Sequence, residues 1–222
     1  MNSLVQLHPP WPSQLDAGLE ALRLELSGAQ RQALLGYLGL LSRWNRVYNL
    51  TAVRDPDLVV GRHLLDSLAI LPWLGDGPVL DLGTGAGLPG VPLAIARPAC
   101  RFTLLDSNGK KTRFVQQVAG ELGLANIEVV RARVEQMARP RHYAAIVSRA
   151  FADLAAMVRL STPLLAPGGR WLAMKGAVAQ SELDALPEGI AVELVPLAVP
   201  GEAGERHLVI LSRPALAAEM PG

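Results

Sequence analysis

The chain predicts an α/β fold: a seven-stranded sheet that ends in an antiparallel hairpin, with a helical cap at its N-terminus. Three observations carry that prediction. Short β-rich runs alternate with helical segments from residue 79 onward, the last two runs are joined by a stretch too short for a helix, and residues 13 to 47 carry only helical periodicity.

Leu15, Leu19, Leu22 and Leu26 recur at i, i+4, i+7 and i+11 and mark the first helix; a second runs from about Ala29 to Val47. Beyond Pro56 a third apolar-periodic segment, DLVVGRHLLDSLAILPWL, reaches a turn at GDGP (75 to 78). The β-rich runs are VLDL (79 to 82), RFTLLD (101 to 106), IEVVRA (127 to 132), YAAIVS (143 to 148), RWLAMK (170 to 175), AVELVPL (191 to 197) and RHLVILS (206 to 212). Helical segments between the first five make parallel βαβ units, with helices on both faces of the sheet. The connection AVPGEAGE is too brief for a crossover helix, so the last two strands pair as a hairpin. The expected division is a cap (1–75), a sheet domain (76–213) and an Ala/Pro/Gly-leaning tail (214–222).

Half of the 222 residues are hydrophobic, enough to bury one core and too few for a nucleotide domain plus a full catalytic domain. A lone cysteine, Cys100, excludes an internal disulfide and suits a reducing compartment. Apolar runs such as LLGYLGLL (34 to 41) fall far below the roughly 20 residues of a membrane span. The start, MNSLVQLHPPWP, lacks the basic and apolar stretches of a signal peptide. The expectation is a soluble, cytoplasmic monomer. Net charge is +1, yet residues 97 to 149 hold ten Lys/Arg against four Asp/Glu. That imbalance fits either solvated helix faces or a patch for a polyanion.

The stretch DLGTGAGLPG (81 to 90) carries Gly85-x-Gly87-x-x-Gly90, a spacing that serves NAD and S-adenosyl-L-methionine (SAM) alike. Asp106, at the end of the second strand, offers a carboxylate to the ribose diol of either ligand. Two features separate them. Asp81, directly before the glycines, would repel a pyrophosphate but suits the amino group and sulfonium of SAM. Pro89 removes one of the N–H donors that a pyrophosphate would use at a helix start. The loop is built for a cationic, phosphate-free ligand, and SAM is the cofactor expected; no metal site is assigned.

WNRVYNLTAVRD, RHLLDSL, DLGTGAGLPGVPLA, LLDSNGKKTRFVQQVAGELGL, VSRAFADL and PGGRWLAMKG occur in a specific order and spacing. In these motifs, over residues 37 to 212, the chain resembles the RsmG (GidB) family of bacterial 16S rRNA guanine-N(7) methyltransferases. The resemblance implies a class I SAM-dependent methyltransferase fold, Rossmann-like, with SAM as donor and 16S rRNA or the small ribosomal subunit as acceptor. It further implies that Gly83 and Leu88 touch the cofactor, that Val134 and Glu135 bracket its adenine, and that Arg149 lies close to it. One departure is Ala144, where the family often has an acid; the position opens its strand away from the ligand edge.

Methyl transfer from a sulfonium is an in-line displacement, so alignment is the chief requirement. Amine-directed nucleic-acid methyltransferases commonly place Asn/Asp-Pro-Pro-aromatic after the fourth strand, where this chain has Ser148-Arg149-Ala150-Phe151. Guanine N(7) carries a lone pair and no proton, and so needs no general base. His63 and Asp66 remain the alternative source of a base but are read first as hydrogen-bonding groups of the cap; His63 and Arg149 are candidates for positioning the acceptor, with a structural ion pair as the other reading of Arg149. Candidate phosphate contacts are Arg54, Arg62, Lys110, Lys111, Arg113 and Lys175, with Asn49 and Thr51 at the rim. Trp44 and Tyr48, four apart on one helix face, are better explained by core packing than by base stacking. A small-molecule methyltransferase and a non-catalytic ribosome assembly factor are the rival readings.

Overall fold

The computed structural model describes residues 8–137, 141–149, 151 and 153–213; the expected tail and Ala150 lie outside them. The cap opens with α1 (Trp11–Ala21) and α2 (Gly28–Tyr48). The first helix is shorter than the leucine spacing predicts. It closes where Arg23 takes a left-handed conformation and Leu24 N–H reaches back to Leu19 O, so Leu26 enters the core from the connector. At the start of α2, Ser27 Oγ accepts from Gln30 N–H and Gln30 Oε1 from Ser27 N–H. The Gln30 amide also donates to the Ile95 and Ala96 carbonyls, which fastens the start of α2 to the end of α4 (Gly90–Ala96).

The third cap segment forms a π-helical turn (Val60–Leu65) that runs into α3 (Asp66–Leu68). The extra residue in that turn is a feature frequent at functional sites, and here it carries Arg62 and His63.

Strands β1 (Val79–Leu82), β2 (Phe102–Asp106), β3 (Ile127–Arg131), β4 (Tyr143–Arg149), β5 (Leu165–Lys175), β6 (Ala191–Pro196) and β7 (His207–Ser212) make one sheet in the order β3-β2-β1-β4-β5-β7-β6. The first five are parallel, and β7 pairs antiparallel with both β5 and β6, as the hairpin prediction required. Strand order reverses between β1 and β4, which places the ligand crevice beyond their carboxyl ends.

Helix α5 (Gly109–Glu121) joins β2 to β3, and α6 (Leu154–Ser161) joins β4 to β5. Between β3 and β4 the expected helix is replaced, among the described residues, by a single 3-10 turn (Val134–Gln136) whose neighbour Met137 is buried. One face of the sheet packs with the cap, α4 and α5 into a shared core that includes Trp11, Leu15, Leu38, Leu64, Phe102 and Phe114. The other face, against α6, is centred on Trp171, Met157 and Tyr143. The cap therefore has no separate core. Strand alternation orients the charged groups as well: Val79 and Val147 face the cap side, and so do Asp81 and Arg149, two residues further along β1 and β4.

Candidate cofactor and acceptor sites

Gly83, Gly85 and Gly87 all have positive φ (74°, 60° and 91°), the conformation that glycine adopts without strain. Gly90 is needed for a different reason. A Cβ there would lie 2.1 Å from Leu104 Cδ2 and 2.6 Å from Asp81 Oδ2, so only glycine lets α4 approach the sheet. Asp106 sits half-buried beside the loop, accepting from Gly85 N–H at 2.9 Å and Asn108 N–H at 2.8 Å. Leu88 is buried, Val134 is half-buried and Glu135 is exposed, on the 3-10 turn after β3.

Asp81 occupies a different place from the one its sequence position suggested. It is fully buried, and Oδ2 accepts from Thr84 Oγ1 at 2.6 Å and Gly90 N–H at 2.9 Å. Burial raises its pKa to about 6 against those two hydrogen bonds. Its carboxylate thus shapes the loop from beneath. The helix start offers a pyrophosphate nothing: Pro89 and Pro92 have no N–H, while those of Gly90, Val91 and Leu93 go to Asp81, Gly87 O and Pro89 O. Pro92 withholds a donor in the same way as Pro89.

Tyr37, which sequence reasoning passed over within an apolar run, anchors the loop from α2. Its ring is buried and its hydroxyl donates to Ala86 O at 2.9 Å. Burial raises its pKa, so the phenol stays protonated.

Next to the loop, a cavity of about 530 Å³ is lined by residues from the cap, the ends of β4 and β5, and the hairpin, among them Thr51, His63, Asp66, Arg149, Lys175 and Arg206. Arg149 donates to Arg62 O at 2.8 Å and to Asp66 Oδ2 at 3.3 Å, and Arg206 Nε lies 3.3 Å from Asp66 Oδ1. Glu202, between β6 and β7, has a side chain only 3% exposed and receives both Arg62 and Arg206. Glu202 and Arg206 were not foreseen. Their only sequence signal is a glutamate in the Pro-Gly-rich connection and an arginine at the head of the last β-rich run.

Burial raises the pKa of Asp66 against the pull of Arg149 and Arg206. His63, 2% exposed, bonds through Nε2 to Thr51 Oγ1 at 3.2 Å, and its Nδ1 has no partner among the described residues. Burial and then Arg149 lower its pKa to about 4, so the imidazole is neutral at physiological pH.

The expected phosphate contacts divide. Lys110 and Arg113 are exposed on the first turns of α5, where Asn108 Oδ1 caps the Lys110 N–H. Lys111 is half-buried, with Nζ 3.9 Å from the point a Cβ on Gly85 would occupy, so it lies against the cofactor loop. Arg54 and Arg62 are exposed, steered by Asn49 Oδ1 and Glu202. Lys175 is not the solvated cation expected of a phosphate contact: its side chain is 12% exposed, pairs with Glu182 and donates to Phe151 O at 2.9 Å. Strand parity is the reason, because Lys175 points with Ala173 to the α6 side. Ala144 opens β4 at the far end from these groups.

The reversed sheet with its closing hairpin and its phosphate-excluding glycine loop defines a class I methyltransferase. Solved structures sharing the fold include the glycopeptide N-methyltransferase MtfA complexed with sinefungin (TM-score 0.59, 14% identity, 69% of this chain and 87% of that one). Another is TrmN from Thermus thermophilus (TM-score 0.54, 21% identity, 77% of this chain and 53% of that one). The pattern of the GidB family, described as rRNA small subunit methyltransferase G, matches residues 30–209, and the chain belongs to that family. Curated relatives called ribosomal RNA small subunit methyltransferase G include one from Marinobacter nauticus, 53% identical over 93% of this chain and 97% of its own length. Another, from Pseudomonas aeruginosa, is 51% identical over 97% of this chain and all of its own. Among the described residues no helix is long and apolar enough to cross a membrane.

Proposed function

We propose that this protein transfers the methyl group of SAM to N(7) of a guanine in 16S rRNA, acting in the cytoplasm as a monomer on the small ribosomal subunit or its rRNA. The observation that carries the reading is the state of the cavity beside the glycine loop. Its one carboxylate among the described lining residues, Asp66, is engaged by two arginines, and its His63 is a neutral, buried imidazole. An acceptor with a proton to lose would find Asp66 paired and His63 a weak base, and His207, whose Nδ1 donates to Gly176 O, is the one further imidazole among the described lining residues. Guanine N(7) asks only for alignment.

SAM, when bound, supplies an electrophilic methyl on a sulfonium. The residues present fit it: an open loop with positive φ, no phosphate donors at the helix start, and the Asp106 carboxylate at the loop's edge for a ribose diol. Val134 and Glu135 come after β3, where the adenine would lie. Arg149, held by Asp66, and neutral His63, held by Thr51, orient the guanine, and the cationic lining favours a nucleotide.

Labelled SAM and small subunits lacking the modification test this directly, with the labelled base mapped. Replacing the target guanine by its 7-deaza analogue removes the lone pair while keeping the pairing edge, so binding persists and transfer stops. Methylation of the 7-deaza RNA at that base would overturn the assignment. Single-turnover rates are expected to stay nearly flat between about pH 7 and 9, since no group must lose a proton for attack.

A further inference from the structure

Four large hydrophobic side chains are exposed among the described residues, and two of them, Val47 (70%) and Tyr48 (46%), are the last residues of α2. The Tyr48 ring is backed by Trp44, with centroids 5.1 Å apart, and Trp44 by buried Phe114 of α5 at 5.5 Å. Three rings thus run from the core to the surface, and the outermost is half-exposed. Sequence reasoning treated Trp44 and Tyr48 alike. In the fold, Trp44 packs and Tyr48 does not.

The position of that ring is fixed. Asn49 ends the helix in a left-handed conformation (φ 50°), and buried Asn45 accepts from Thr51 N–H at 2.9 Å. Thr51 in turn holds His63 on the wall of the acceptor cavity, so Tyr48 stands on a rigid support three residues before a residue that lines that cavity.

Arginines come from the same region. Arg46 and Arg54 are exposed on either side of it in the chain, Arg54 steered by the neutral amide of Asn49 at 2.6 Å; Arg43 pairs with Glu121, and Arg113 shares a shallow groove with Trp44 and that glutamate. An apolar patch of two residues with arginines nearby in the chain is small for a hydrophobic protein partner. An aromatic face beside guanidinium groups is how unpaired nucleotides are held without sequence readout. We propose that Tyr48 is a stacking platform for an unpaired RNA base flanking the target nucleotide, with Arg46 and Arg54 on the adjoining phosphates. The proposal rests on the rRNA methyltransferase reading and adds a second point of RNA contact outside the acceptor cavity.

Tyr48→Ala and Tyr48→Phe test it, with three readouts: kcat and KM on small subunits, Kd for protein-free 16S rRNA, and SAM affinity. Tyr48→Ala is expected to raise KM and the rRNA Kd about five- to a hundredfold, leaving SAM affinity and kcat near wild type. Tyr48→Phe keeps the ring and should restore both RNA parameters to within about twofold, since stacking needs the ring and not the hydroxyl. Wild-type KM and Kd in Tyr48→Ala would overturn the platform. A defect that phenylalanine fails to rescue would overturn it too, since the hydroxyl would then be the contact. A raised KM on subunits with an unchanged rRNA Kd would identify a ribosomal protein as the occupant instead. If the wild type transfers no methyl to small-subunit rRNA, the functional reading itself has failed; a normal wild type with a silent Tyr48→Ala rejects the platform alone.

Discussion

The glycine loop and the acceptor cavity adjoin, yet they are built in opposite ways. At the loop, Thr84 bonds Asp81 three residues away, Gly90 bonds Asp81 nine away, and Gly85 bonds Asp106 across one βαβ unit of 21. Around the cavity, Arg149 reaches Asp66 over 83 residues and Arg62 reaches Glu202 over 140. The loop is a local device in which the N–H groups of Gly83, Thr84, Gly85, Gly87, Leu88 and Gly90 are occupied before any ligand arrives. The cavity exists only when the cap, the sheet edge and the hairpin have assembled, and its charges meet across those three parts. Damage to the first should impair cofactor binding in a folded protein; damage to the second should loosen the assembly itself.

Substitutions that treat the two regions separately test that contrast. The largest effect is expected at Asp66, whose removal leaves Arg149 and Arg206 facing each other. Because the two arginine side chains are 24% and 30% exposed, Asp66→Ala should cost about 2–3 kcal/mol, below the range for a fully buried pair. Denaturant titration checks it, and a loss under about 0.5 kcal/mol would mean that the network does not hold the cap.

Asp106→Ala should act the other way round. The fold persists, while charge-assisted hydrogen bonds of about 1.5–3 kcal/mol each are lost, so calorimetry should show SAM binding roughly ten- to a hundredfold weaker. Unchanged affinity would exclude Asp106 from the ribose.

His63 gives the contrast a pH signature. Its folded pKa, about 4, lies below the ordinary 6.5, so the unfolded chain takes up the proton first and stability drains as pH falls from 6.5 toward 4. Between pH 7 and 4.5 that amounts to about 2 kcal/mol, which His63→Gln should abolish. Asp81 works in the opposite sense, its raised pKa making the folded state less stable as pH climbs through about 6. It is common to both proteins and cancels when they are compared. Parallel stability curves for His63→Gln and wild type would show that His63 keeps its ordinary pKa in the fold.

The smallest effect concerns the α5 cations. Replacing Lys110 and Arg113 by Ala should flatten the salt dependence of RNA binding by roughly 0.7 to 0.9 log units per lost phosphate contact, at unchanged SAM affinity. Lys111→Ala, against the cofactor loop, should instead weaken SAM. If all three behave alike, the separation of Lys111 from its neighbours is mistaken.

The amino-acid sequence determined the parts whose causes are local. Six strands begin and end within one residue of the expected limits, because alternation and the turn residues between them set a strand's limits from its own neighbourhood; β5 starts five residues earlier, at Leu165, across the Pro-Gly-Gly stretch that reads as a turn. The glycine loop was legible for the same reason: a tight turn between β1 and α4 needs glycine, and proline removes donors wherever it stands. Tertiary structure decided which way each charge faces and what it meets. Strand parity turns Lys175 toward Glu182, away from the phosphate role its sequence position suggests, while the bonds of Thr84 and Gly90 to Asp81 Oδ2 hold that carboxylate beneath the loop. Tyr37 lay hidden in an apolar run because its hydroxyl finds Ala86 only once α2 crosses the loop. Trp44 and Tyr48 share a helix face and differ only because Phe114 reaches one of them. The pairing of Arg62 with Glu202 is invisible in a linear reading, since a partner 140 residues away is chosen by packing of the cap against the hairpin and by no property of either residue's neighbours.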